Sequence, residues 1–331
     1  MSESASRAPD VSVSIVNTSS RDLLLACLDS LASDLADVDL EVVVLDNASE
    51  DGSAAAVRER FPWARLIEQP YRAGFGANHN TVIRATRGRY VYVLNEDTTV
   101  ESGSFRRLVQ YLDAHPDVAA LAPRIRYPDG REQASAWRFP TPATAAVGAL
   151  TLARAGVVQS GGRELRRVDW AMACALLLRR SALDEVGLFD EGFFIYSEET
   201  DLCRRLAAAG YETHYFPAVT VYHHVSQFSA GVPERRIAEE WRSRHRYWRK
   251  HHSPAGARVA ALLTGYQYAA RAAIAAALVR LPDSRRPLRH LARAAPARFR
   301  LHARNAWRGV TGPGLRELAD EWNREHGVGT G

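Results

Sequence analysis

The sequence predicts an α/β protein whose mostly parallel central sheet carries helices on both faces. Two observations predict it. Short β-rich runs alternate with helical ones through the first hundred residues, and the runs at 41–45 and 89–94 are almost continuously apolar, as strands buried on both faces must be. Polar clusters then follow the runs directly, at 17–20, 46–52 and 95–99. That is the carboxyl edge of the sheet, where open α/β sheets bind their ligands.

Taken in order, residues 11–16 form the first strand. Residues 23–35 form a helix on the spacing of Leu24, Cys27, Leu28 and Leu31, and 41–45 form the second strand. A helix over 54–61, a strand over 64–68, a helix over 78–86 and a strand over 89–94 complete the first half. Beyond it, Tyr127-Pro-Asp-Gly130 reads as a turn and the Ala- and Thr-rich stretch 141–160 as a mobile loop. Residues 170–179 read as one buried strand and 188–196 as an aromatic strand. A helix holding Leu202 and Leu206 then stops at Gly210, and two short strands follow at 213–216 and 218–222.

The chain's 331 residues, 46% hydrophobic and 24% charged, describe an ordinary globular protein, large enough for one domain with an appendage. Its charge is uneven. From Pro233 onward there are 20 Arg and Lys against 8 Asp and Glu, a net +12, so the +5 of the whole chain leaves −7 for the rest. The expected division is a disordered N-terminus at 1–10, a catalytic domain at 11–232 with halves at 11–100 and 101–232, and a basic helical extension at 233–331. Cys27, Cys174 and Cys203 form no metal-binding pair, which fits a reducing, cytoplasmic setting. Within the extension, 234–252 reads as a charged helix. Residues 259–279 are Ala- and Leu-rich but interrupted by Arg271, which argues against a membrane span. Packing in the domain and lying on an anionic membrane surface are both consistent with 256–308, and the latter would place the chain at the inner face of the plasma membrane. No aromatic-and-basic pattern specific for nucleic acid is present.

Two acidic clusters carry the chemistry. Asp97 follows a buried strand on a rigid support, where a carboxylate can hold a divalent cation together with substrate phosphates or simply cap its turn. Glu198, Glu199 and Asp201 crowd three acids into four residues. Crowding raises a carboxyl pKa and makes a better base, while the same residues also suit the start of a helix. His223, closing a strand with His224, is a candidate further metal ligand or a structural histidine.

Together these segments resemble the family 2 inverting glycosyltransferases, closest to the bacterial rhamnosyltransferase-like branch. The resemblance runs over 11–229, with a looser similarity at 241–254. It rests on Val13-Ser-Ile-Val-Asn17, on Val43-Val-Leu-Asp-Asn-Ala-Ser-Glu-Asp-Gly-Ser53 and on Gly74-Phe-Gly-Ala-Asn-His-Asn80. Leu94-Asn-Glu-Asp-Thr-Thr-Val100 is similar to the branch's DXD motif, and the segment from Phe189 through Ser197-Glu198-Glu199-Thr200-Asp201 to Leu206 is the most specific part. The resemblance implies a GT-A fold, a dTDP- or UDP-sugar donor, Mg²⁺ or Mn²⁺, and a saccharide or lipid-linked acceptor in cell-surface polysaccharide synthesis. It places Asn17, Asp46, Asn47, Ser49, Gly74, Phe75, Asn80 and Asn95 at the nucleotide sugar and Asp97 and His223 at the metal. The general base falls on Glu199 or Asp201, with Glu198 beside them. Glu199 stands where the family usually has Asp. That departure also admits a catalytically weakened, sugar-binding relative. Thr18-Ser19, Arg72, Ala173-Cys174 and Val225-Ser226-Gln227 depart as well.

Overall fold

The structure is a computed structural model of the chain that describes residues 8–152, 156–224, 232–279 and 295–329. Its first half winds as the periodicity predicts: β1 (Val11–Asn17), α1 (Arg21–Leu31), β2 (Leu40–Asn47), α2 (Ser53–Arg60), β3 (Arg65–Gln69), α3 (Phe75–Arg84) and β4 (Tyr90–Asn95). Strands β3, β2, β1 and β4 lie side by side and parallel. In β1, Val11, Val13 and Ile15 face one core together with Leu24, Leu28 and Leu31 of α1. The intervening serines bond on the other face: Ser12 Oγ donates to Glu41 Oε2, and Ser14 Oγ sits 2.7 Å from His79 Nδ1 of α3.

The second half supplies β5 (Thr98–Val100), α4 (Ser104–Ala114), β6 (Val118–Arg126), β7 (Ala136–Trp137), α5 (Pro142–Thr151), β8 (Arg166–Val168), β9 (Trp170–Ala171), β10 (Ala175–Arg179), α6 (Arg180–Val186), α7 (Glu198–Ala208) and β11 (Glu212–His223). The nine-stranded sheet runs β3-β2-β1-β4-β10-β6-β11-β5, with β8 also on β11. β10 is antiparallel to β4 and β6, so the sheet is mixed at this end. β7 and β9 form a small sheet of their own.

Four expectations change. The single strand at 170–179 divides, because the chain leaves the main sheet at Met172–Cys174 and Trp170–Ala171 pairs with β7 instead. The aromatic stretch 188–196 is irregular: Phe189 and Phe193 are buried by packing, Phe189 against Phe75 and Phe193 in a tail cluster. The expected mobile loop at 141–160 opens with α5, whose capping box joins Thr141 and Thr144 behind Pro142. The strands at 213–216 and 218–222 fuse into β11, with a register shift between Phe216 and Thr220. At the N-terminus, Pro9 and Asp10 are held by Arg89 through its backbone N–H and a 2.8 Å ion pair. Residues 1–7, from the stretch expected to be disordered, lie outside the described residues, as do 225–227.

The tail forms α8 (Pro233–His251), α9 (Pro254–Val279), α10 (Ala295–Arg308) and α11 (Leu315–Glu325). These helices pack onto the α/β body. Phe193 is buried among Ile237, Trp241, Tyr247 and Trp248 of α8. Arg271, the charge that interrupts α9, donates to the Leu152 carbonyl at the end of α5, 3.0 Å away. Among the described residues, no helix is long and apolar enough to cross a membrane.

Candidate active site

The carboxyl ends of β1, β2 and β4, the start of α3 and the start of α7 open onto one cavity of about 450 Å³. Four of the five non-glycine residues with positive φ among the described ones, Ser19, Ala48, Tyr196 and Ser197, sit in turns at this edge. Such strained turns cluster where side chains must be aimed.

At the carboxyl ends of β1 and β2, Asn17 is fully buried and spends its amide on the turns. Its Nδ2 donates to Asp46 Oδ1 (3.2 Å) and Ser49 Oγ (2.9 Å), and its Oδ1 accepts from Ser20 N–H. Asp46 also accepts from Ser49 N–H and, with Ser49, faces a second cavity of about 490 Å³ shared with Trp322 of α11 and His326 just past its end. Asn47, Phe75 and Asn95 line the main cavity. Gly74 is not among the lining residues: a Cβ there would stand 2.5 Å from the Phe194 carbonyl, which accepts from Phe75 N–H at 2.7 Å. Glycine thus lets α3 close against the 188–197 loop. Asn80 is a correction. Its Nδ2 donates to Phe189 O and Glu191 Oε1 and its Oδ1 accepts from Phe189 N–H, so it staples that loop and does not line the cavity.

Asp97 and His223 meet at the other wall, with Oδ1 and Nε2 3.2 Å apart. His223 Nδ1 lies 3.0 Å from Gln133 Oε1. With Gln133 accepting, the Nδ1 proton is fixed there and Nε2 turns its remaining site to the carboxylate. Burial, and then the charge of Asp97, push the Glu96 carboxyl up to about 8. Among the described residues no group of three or more such side chains could hold a cation alone. One oxygen and one nitrogen fit a Mg²⁺ or Mn²⁺ ion that takes its other ligands from a diphosphate and water.

Glu198, Glu199 and Asp201 start α7, but they do not share one environment. Glu198 and Glu199 line the cavity, and the Oε2 of each has no hydrogen-bond partner among the described residues. Burial lifts Glu199 to about 7 against backbone N–H groups of its own helix start, and burial plus the charge of Glu199 lifts Glu198 well above the usual range. Asp201 is fully buried elsewhere. Its Oδ1 lies 2.7 Å from both His251 Nε2 and Lys250 Nζ, and its Oδ2 lies 2.9 Å from Arg205 Nε. Burial raises its pKa, but these donors outweigh it and bring the group to about 2.

Asp201→Asn should therefore act on stability. Arg205 and Lys250 keep some solvent, so we expect a loss of about 3 kcal/mol, the low end for breaking a buried pair, read in urea unfolding. The Asp201 contribution is present above its unfolded pKa of 3.8 and disappears as pH falls toward about 2. The difference between wild type and variant should thus shrink below pH 4.

The family described as Glycosyl transferase family 2 matches residues 11–187. The chain belongs to glycosyltransferase family 2. Over 237 residues this family 2 enzyme is 30% identical to the N-acetylglucosaminyl-diphospho-decaprenol L-rhamnosyltransferase of Mycobacterium tuberculosis, covering 65% of this chain and 76% of the relative. Over 57 residues it is 44% identical to the Rhamnosyltransferase WbbL of Escherichia coli K12, covering 17% and 22%. Among solved structures it is similar to the mannosyltransferase PcManGT of Pyrobaculum calidifontis in complex with GDP-Man and Mn²⁺, at TM-score 0.58, 20% identity and coverage of 91% and 88%. The fold of this glycosyltransferase is GT-A.

Several residues of the glycosyltransferase's cavity escape a sequence reading. Gln133, Trp137, Trp170 and Arg236 line it, as do Leu315, Leu318 and Ala319 of α11. His79 lines it too, with Nε2 buried and without a hydrogen-bond partner among the described residues. Burial takes this imidazole down to about 3, so it is neutral. Asn323 locks α11 in place: its Oδ1 accepts from Arg72 N–H at 2.7 Å and its Nδ2 donates to Arg72 O at 3.0 Å.

Proposed function

We propose that this glycosyltransferase moves L-rhamnose from dTDP-rhamnose to a saccharide carried on a polyprenyl diphosphate, with inversion at the anomeric carbon. One observation carries the reading: a buried carboxylate with an unused oxygen, Glu199, shares a cavity with the Asp97–His223 pair. Glu199 takes the proton of the acceptor hydroxyl as that oxygen bonds to C1 of the sugar. The C1–oxygen bond to the diphosphate breaks on the opposite face, and the nucleoside diphosphate leaves with the electron pair. Asp97 and His223 would hold Mg²⁺ or Mn²⁺, which supplies positive charge at the diphosphate when bound. Asn47, Phe75 and Asn95 orient the donor, and Glu198, held neutral, leaves the negative charge on Glu199. Asp201 is a positioning residue: it ties the start of α7 to α8. The rhamnosyl group follows the names of both rhamnosyltransferase relatives, and the lipid-linked acceptor that of the mycobacterial one.

A thermal-shift screen of nucleotide sugars with Mn²⁺ tests the donor. Because ligand binding stabilises the folded state, Tm should rise by several degrees with dTDP-rhamnose and not with GDP-mannose. An equal rise with every nucleotide sugar would refute the choice of donor.

Membrane contact belongs to the same proposal. Val259, Leu262, Tyr266 and Ile274 form an exposed stripe along α9, and Trp307 of α10 donates to the Leu262 carbonyl beside it. Neither helix, nor α5 with its exposed Leu150, contains an Asp or Glu, while Arg258, Arg298, Arg300, Arg304 and Arg308 lie on α9 and α10. An apolar stripe flanked by arginine suits anionic lipid. The double substitution Leu262→Asp with Tyr266→Asp should cut pelleting with phosphatidylglycerol vesicles by about tenfold and leave donor hydrolysis unchanged. Undiminished pelleting would rule this surface out. The basic residues at 280–294 lie outside the described residues.

A further inference from the structure

Trp137 and Trp170 are cross-strand partners in the two-stranded sheet of β7 and β9. Their rings stack with centroids 4.7 Å apart and planes 27° from parallel. Both are only partly buried, both line the main cavity, and neither belongs to a hydrophobic core cluster. Two large aromatic side chains left at a cavity wall, outside the core, are the usual means by which a pocket offers a flat apolar surface.

The sheet that holds them is short, yet well fixed. Trp170 Nε1 donates to the Arg138 carbonyl at 3.0 Å, so this indole spends its polar edge internally and keeps its ring for contact. Asp169 Oδ2 accepts from Phe139 N–H, Gln159 Oε1 accepts from Asp169 N–H, and Met172 N–H donates to the Ser135 carbonyl.

The chain also places the pair near the chemistry. Trp137 is four residues after Gln133, whose Oε1 accepts from His223. Trp170 is four residues before Cys174, whose carbonyl accepts from Asn95 N–H, two residues ahead of Asp97. Four residues span at most roughly 14 Å. Each tryptophan is therefore tethered close to the Asp97–His223 wall, and both line the same cavity as Asn47 and Arg72. Five residues beyond Trp137, α5 begins, which carries the exposed Leu150.

We infer that Trp137 and Trp170 form the acceptor subsite, an aromatic platform on which the apolar face of an acceptor pyranose ring stacks while its hydroxyl meets Glu199. The inference rests on the transfer reading above and adds the residues that recognise the acceptor. A pyranose is the fitting occupant because it pairs a flat C–H face with a hydroxyl edge. The platform supplies the flat contact, and the polar wall of Gln133 and Glu199 stands in the same cavity.

The test uses octyl β-N-acetylglucosaminide as the acceptor probe with wild type, Trp137→Ala, Trp170→Ala and the two Phe variants. Ligand-observed NMR saturation transfer reports binding without turnover. Wild type should show transfer from aromatic protein resonances to the sugar-ring protons, both Ala variants should lose it, and Phe should restore most of it. In turnover assays, the Ala variants should raise acceptor KM by about tenfold or more and keep acceptor-free hydrolysis of dTDP-rhamnose within about twofold. Absent saturation transfer in wild type, or transfer that persists in both Ala variants, overturns the platform. So does a rise in donor KM with acceptor KM unchanged. Failure of donor hydrolysis in wild type, with probe binding intact, counts against the dTDP-rhamnose reading and leaves the platform standing.

Discussion

Glu199→Gln is expected to lower transfer by about 10²–10⁴-fold, the range typical of a general base, while making the protein more stable. The two effects have one cause. Burial raises the Glu199 carboxyl from 4.5 to about 7, so the folded state resists its ionisation. A raised carboxyl costs nothing below its unfolded pKa, and the cost grows as pH rises through the folded value. The glutamine variant should therefore gain Tm at pH 8 and much less at pH 5. The base must be ionised to accept a proton, so kcat/KM of wild type should fall as pH drops below about 7, and the residual activity of the variant should lack that limb. A wild-type acid limb preserved in Glu199→Gln would move the base elsewhere. Glu199→Asp keeps the charge and shortens the reach by one methylene, so it should retain more activity than the glutamine variant.

Asp97→Ala is expected to cost about 10²–10³-fold in Mn²⁺-dependent hydrolysis of the donor, as removal of a charge-stabilising group does. It should also abolish the Tm rise given by dTDP-rhamnose with Mn²⁺. The variant should still fold, because the Asp97 carbonyl that accepts from His224 N–H at 2.8 Å is main chain. His223→Gln should have a smaller effect in the same direction, since one ligand remains. Equal Mn²⁺ dependence in wild type and Asp97→Ala would refute the cation assignment.

The parts of the molecule legible in the sequence are those that local periodicity determines. Strands β1 to β4 start at residues 11, 40, 65 and 90, each of the first three followed by a helix, and polar residues close each strand at the cleft. Asp97 stands out as a candidate for the same reason, since it follows β4 directly. Residues 188–196 read as a strand because buried phenylalanines look alike in a strand and in a packed loop. Asp201 competed with Glu199 as a base because its partners Lys250 and His251 lie some fifty residues later in the chain. The resemblance places Asn80 at the donor through its glycine-rich segment, whereas its bonds run to residues 189 and 191. The tryptophan pair sits on two-residue strands, which are too short to show any period.

The bond from Asn323 to Arg72 sets a lower limit on the size of an active fragment. The family match ends at residue 187, and an enzyme trimmed to the α/β body would look complete by sequence. It would lack the wall that Leu315, Leu318 and Ala319 give the cavity and the clasp that holds the rim at Arg72. A fragment that stops short of Asn323 is therefore expected to lose both that wall and that clasp.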